Sequence, residues 1–311
     1  MRGSGFLSWI AGILAATLLV GAVAWTVVGH RETERLPPSP GGAGGPALAQ
    51  ITRTGTVRCG YVVYANLVAK DPNTGALSGI FVDLTERLGA ILGWKILWTA
   101  ETTFENVAED LRTGKYDVFC GGAWPVFPPA VGKANSIGAF YSPVMVYVRT
   151  DDPRFVSGPS LDLHALNDPA LRVVTMDGEL SQIVARDDFP RAQTLQLPAS
   201  SNVAEAALSV ATHKADFAIL ERALAEGYTT QNPGVLREMA TDRPVRVFAN
   251  TWEFAPAEVH LRHTFDRAIQ QLLDSGAVET VLRQYESTPG IFLRVAPAYQ
   301  NVAPHTPSRD S

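Results

Sequence analysis

Gly114-Lys115-Tyr116-Asp117-Val118-Phe119-Cys120 ends one helical stretch and starts a short apolar strand, and the chain repeats the arrangement at His213-Lys214-Ala215-Asp216-Phe217-Ala218-Ile219-Leu220. Each copy reads as a helix stop, a polar turn and a buried strand. Outward from the first copy lie the strand Val57-Arg58-Cys59-Gly60-Tyr61, the helix opening Gly79-Ile80-Phe81-Val82-Asp83 and the phrase Phe140-Tyr141-Ser142-Pro143. Strands alternating with helices predict parallel sheets covered by helices, an α/β fold.

The helical stretches carry their own signals. Leu84, Leu88 and Ile91 fall on one face after Asp83, which reads as the N-cap, and Val107 and Leu111 form a stripe before Gly114. Asn202 with Glu205 three residues on makes a capping box for a helix burying Val203, Ala207 and Val210. Two final helices present Phe265, Ile269 and Leu272, then Val278, Val281 and Tyr285.

With 311 residues, 46% hydrophobic and 18% charged, the chain is long enough for about two compact units and too apolar for a disordered one. A formal net charge of -5 with scattered basic residues argues against nucleic-acid binding. Two cysteines and six dispersed histidines offer no metal-ligand spacing, so no metal or cofactor is expected.

Phe6 to Gly29 is apolar and uncharged, and as a helix it reaches about 36 Å, enough to cross a bilayer. It reads as an N-terminal transmembrane anchor over residues 1–30, with a signal peptide cleaved after Ala22-Val23-Ala24 as the other reading. Pro37 to Pro46 is Pro/Gly-rich and fits a linker over 31–52, and residues 295–311 read as a disordered tail.

Taken together, the order and spacing of these phrases resemble the bacterial extracellular solute-binding proteins of family 3, which serve polar amino acid ABC transporters, over roughly residues 53 to 290. The resemblance implies a two-lobed periplasmic-binding-protein-like fold with two hinge strands: lobe one over 53–148, lobe two over 149–245, and a return to lobe one over 246–294. The outgoing crossing is expected near Met145 to Arg149 and the return near Val245 to Ala249. It also implies that Cys59 and Cys120 end neighbouring strands, where a disulfide and two free thiols are both open.

Ligands of open α/β sheets bind beyond the carboxyl ends of the strands. Those loops supply Tyr61, Tyr64, Gly121, Gly122 and Trp124 in lobe one and Gly178, Glu179 and Glu221 in lobe two as candidate ligand-binding residues. Lobe packing is the competing role for the aromatics, helix capping for Glu179 and simple solvation for Glu221. The family pattern places an arginine after the strand at Val118 to Cys120 to grip a solute carboxylate. This chain instead reads Ala123-Trp124-Pro125-Val126-Phe127-Pro128-Pro129-Ala130, and the nearest cation is Lys133. A monodentate ammonium is no equivalent of the guanidinium fork.

The expected function is the substrate-binding component of an ABC-type uptake system, taking a small polar solute, amino acid or amine-like, into an interlobe cleft. Its partners are that solute, an inner-membrane ABC permease and, through the N-terminal helix, the membrane, on the periplasmic side. A membrane-tethered sensory domain with a degenerate cleft is the alternative. A periplasmic dehydratase-like enzyme, with Glu179 and Glu221 as acid and base, is a weaker one, since its carboxylate substrates would need the cation this cleft lacks, and no nucleophilic triad or phosphate-cradling motif offers a different chemistry.

Overall fold

The computed structural model describes residues 45–64, 66–125, 132–155, 162–198 and 200–295. In chain order these form helix α1 (Pro46–Thr54), strands β1 (Thr56–Tyr61), β2 (Ala69–Lys70) and β3 (Leu77–Ser78), helix α2 (Ile80–Leu92), β4 (Lys95–Glu101), α3 (Val107–Arg112), β5 (Val118–Ala123), β6 (Ala134–Asn135) and β7 (Phe140–Arg149). There follow β8 (Arg172–Met176), α4 (Leu180–Asp188), β9 (Gln193–Leu197), α5 (Val203–Ala211), β10 (Phe217–Glu221), α6 (Arg222–Gln231), β11 (Leu236–Glu238), β12 (Arg246–Phe254), α7 (Val259–Asp274), α8 (Ala277–Tyr285) and β13 (Leu293–Arg294).

The repeated aspartate explains the repeated phrase. Asp117 donates its N–H to the Arg58 carbonyl at 2.9 Å and accepts the Arg58 N–H on its carboxylate at 2.9 Å. Asp216 does the same with Arg172, at 2.7 Å in both directions. Each aspartate thereby pins the start of one parallel strand to the start of its neighbour. Two matching half-sheets result, β4-β1-β5 running into β12 and β9-β8-β10 running into β7, with all pairs parallel up to those last strands.

The half-sheets are joined where β7 and β12 pair antiparallel, Phe140 to Val144 against Asn250 to Arg246. The outgoing crossing therefore lies a few residues earlier than the sequence suggests. Met145 to Val148 already pair with β10, and Tyr147 to Arg149 with β11. Lobe two is covered on both sheet faces: Val144, Val146, Phe217 and Ile219 pack in one cluster, Met145, Tyr147, Ala218 and Leu220 in another. Such two-sided burial is why β7 and β10 read as continuous apolar runs rather than alternating ones.

Lobe one packs Phe81, Leu84 and Leu88 of α2 against Trp252, Phe254, Phe265 and Val281. The N-cap of α2 is Gly79, at φ 127°, not Asp83. Glycine is required there because a Cβ would lie 2.5 Å from the Leu67 carbonyl oxygen. Asp83 accepts the Tyr285 hydroxyl at 3.1 Å instead, and Ile91 is exposed while Ile80 and Phe81 complete the buried face. Asn202 caps α5 by accepting the Glu205 N–H at 3.0 Å. Cys59 and Cys120 are joined as a disulfide with Cα atoms 5.5 Å apart.

Helix α1 begins inside the stretch read as linker, and buries Ile51. Proline fits its first turn because those N–H groups have no helical partner. The Glu258 carboxylate accepts from the next two, Ala47 N–H at 2.7 Å and Leu48 N–H at 3.3 Å. The apolar run Phe6 to Gly29 and the tail from 296 lie outside the described residues. Among the described residues no helix is long and apolar enough to cross a membrane.

Candidate functional site

Glu221 is the last residue of β10, and the turn into α6 leaves its side chain only 6% exposed. On the other lobe, Tyr64 sits in the turn after β1, held by its N–H to the Val68 carbonyl at 2.9 Å. Its hydroxyl donates to Glu221 Oε2 at 3.1 Å, a direct bond from lobe to lobe. Ser142, from the β7 crossing, gives Glu221 a second hydroxyl and itself accepts from Asn250 Nδ2 at 3.0 Å. Trp124 Nε1 donates to Asn250 Oδ1 at 3.1 Å, and the indole stacks on Phe248 with ring centroids 5.0 Å apart. Phe104 meets the Tyr64 ring edge to face at 5.8 Å.

Burial pushes the Glu221 carboxyl up to about 7, Ser142 and Tyr64 pull it down, and the neighbouring Glu179 pushes it up again. None of these groups is a cation. Desolvation likewise raises Glu179, partly offset by the Leu180 N–H, although its surface remains open to solvent. Tyr64 is raised well above its ordinary value by burial and by both glutamates, so its hydroxyl stays a neutral donor at physiological pH. The arrangement is a buried carboxyl beside a more exposed one, faced across the lobes by the Tyr64 hydroxyl with Phe104 packed on its ring.

Lys133, the cation nearest to the missing arginine in sequence, is not free to serve a solute. Its ammonium lies 2.8 Å from Glu253, which is 1% exposed. Burial raises Glu253 and Lys133 pulls it back, so the pair is a lobe-one ion pair.

The structure brings Tyr64, Glu179 and Glu221 together and places Trp124 at the end of the same hydrogen-bonded chain. Tyr61 goes into the lobe-one core, edge to face on Trp98 at 5.9 Å. Gly121 and Gly122 are there for packing: at Gly122, φ 80°, a Cβ would lie 2.6 Å from the Phe81 ring. Gly178, also at positive φ, forms the turn that delivers Glu179 to the N-cap of α4. Ser142 and Asn250 were missed, because their roles arise only when the two crossing strands pair. A cavity of about 450 Å³ opens elsewhere, between Tyr147, Arg222, Glu226 and Glu238 on one side and Thr288 and Ile291 on the other.

The family model for bacterial extracellular solute-binding proteins, family 3, matches residues 63–288. The chain belongs to that family. As a family 3 protein it shares its fold with solved structures of low identity. One is a putative binding component of an ABC transporter from Wolinella succinogenes complexed with lysine, at TM-score 0.62 and 19% identity, covering 76% of this chain and 97% of that one. Another is the L-cystine solute receptor of Neisseria gonorrhoeae in an unliganded open conformation, at TM-score 0.57 and 18% identity, covering 78% and 96%. A third is an ancestral amino acid-binding protein, a precursor of cyclohexadienyl dehydratase, at TM-score 0.60 and 21% identity, covering 76% and 98%. No curated protein sequence matches this family member significantly. The family is extracellular by description, which implies that the folded part lies on the periplasmic side.

Proposed function

We propose that this family 3 protein captures a small organic cation, an amine without a free carboxylate, between its lobes for delivery to an ABC permease. Glu221 and Glu179 pair the positive group, and Tyr64, Phe104 and Trp124 enclose it. The observation that carries this reading is Glu221 itself, buried at the lobe junction among hydroxyls and a second carboxylate, with no cation beside it among the described residues. A free α-carboxylate is disfavoured, because leaving it buried without a partner costs about 3 to 5 kcal/mol. Whether residues 1–30 hold the protein at the membrane belongs to the same proposal.

A thermal-shift and calorimetric screen of the full chain against amines, basic, neutral and acidic amino acids tests it. An amine at a hundred times its dissociation constant adds about 2.7 kcal/mol of stability. Binding of acidic amino acids alone defeats the reading. One observation favours a second reading, a cleft that no longer takes a solute: Tyr64 already bridges the lobes to Glu221. Silence across the whole screen supports that reading instead.

A further inference from the structure

Tyr64 reaches from one lobe to the carboxylate that the proposed solute needs. Its hydroxyl is a neutral donor that already occupies one oxygen of that carboxylate. The groups facing Glu221 are this hydroxyl from the turn after β1, the Ser142 hydroxyl from β7 and the Glu179 carboxylate from the start of α4. Arg222, the next residue along, is committed elsewhere: Nε and NH2 go to Glu238 at 2.7 and 2.8 Å, and NH1 to the Gly290 carbonyl at 3.0 Å. The nearby Asn250 amide is spent on Ser142 and Trp124. Glu221 thus lies buried beside the more exposed Glu179, its described neighbours offer it hydroxyls and no counter-charge, and a proton is the smallest cation that relieves it.

We propose that Tyr64 and a proton together hold the solute's place: a cationic solute enters by displacing the Tyr64 hydroxyl from Glu221 and expelling the proton that carboxyl carries, so capture is coupled to pH. The exchange balances as carboxylic acid plus organic cation giving the carboxylate–cation pair plus one proton released to buffer. No redox partner is needed. The inference rests on the organic-cation reading of the cleft and adds its regulation. The raised Glu221 carboxyl agrees with it, since the group then carries a proton over part of the neutral range.

Choline is the right probe, because its quaternary charge does not titrate and any pH dependence belongs to the protein. Calorimetry of the full chain from pH 5.5 to 8.5 is expected to show affinity rising about tenfold per unit at the acid end and levelling above about pH 8. Repeating the titration near pH 6 in buffers of different ionisation heat should show close to one proton released per choline bound. Tyr64→Phe removes the competitor and is expected to tighten choline severalfold, whereas a tyrosine that merely helped to hold the solute would weaken it on removal. Glu221→Gln should abolish the pH slope, and its thermal unfolding curve checks that it is folded. Choline binding with flat pH dependence and no proton release overturns the exchange alone. Failure of choline and of every amine in the wider screen overturns the organic-cation reading and the exchange with it.

Discussion

In lobe one Glu253 is 1% exposed with Lys133 2.8 Å away, whereas in lobe two Glu221 is 6% exposed and, among the described residues, meets hydroxyls and another carboxylate. The same contrast runs through the two copies of the aspartate phrase. Asp117 has a side chain 1% exposed and is clasped by both the backbone and the guanidinium of Arg58; Asp216 is 20% exposed and shares Arg154 with Asp152. Lobe one also carries the disulfide. Lobe one neutralises Glu253 and Asp117 with a cation each. Lobe two likewise pairs its buried Asp152 with Arg149 and Arg154, but leaves Glu221 at the junction without a cation among the described residues, which is where a binding protein needs an unmet charge.

Lys133→Ala should give the largest break in this comparison. It strands Glu253 without its cation, and urea unfolding at pH 7 should show a loss of about 3 to 5 kcal/mol. At pH 5 the loss shrinks, because a stranded carboxyl takes up a proton more readily. Next comes the staple: the disulfide closes a loop with a sequence separation of 61. Replacing both cysteines with alanine should cost about 4 kcal/mol on chain-entropy grounds, measured by the same denaturation.

Glu221→Gln should move the other way. Its folded carboxyl sits near 7, above the ordinary value of 4.5, so the folded state holds its proton longer than the unfolded chain does. Stability of the unliganded native protein is therefore fully retained below about pH 4.5 and declines as pH climbs towards 7. Glutamine cannot ionise, so the variant's advantage should grow from none near pH 4.5 to about 3 kcal/mol by pH 8. A variant that is destabilised at pH 8 would show that the carboxylate is compensated after all. The smallest effect sharpens the twin phrases: Asp117→Asn should cost about 2 kcal/mol and Asp216→Asn about 1, following their burial.

How much of this was written in the sequence depends on the range of the interaction. The twin strands, the helix faces at Leu84, Leu88, Phe265 and Val281 and the Asn202 cap are local, and periodicity and capping chemistry reveal them. Glu179 and Glu221 follow from their places at strand ends. Ser142 and Asn250 are 108 residues apart and become partners only through strand pairing, which a single sequence leaves unspecified. Tyr61 and Tyr64 looked alike in sequence; the backbone turn after β1 sends one into the core and the other across the lobes. Helix α1 was hidden because its start is completed by Glu258, 211 positions away from Ala47.

That last fastening has a mechanical consequence. A Cβ on Gly45 would lie 2.4 Å from the Glu258 carboxyl, so the chain enters the fold through a fitted notch at the head of α7. A pull on the polypeptide ahead of this point is met first by that clasp and by Ile51 in the lobe-one core. The protein can thus be held from its amino-terminal side, by a surface or a force probe, through lobe one.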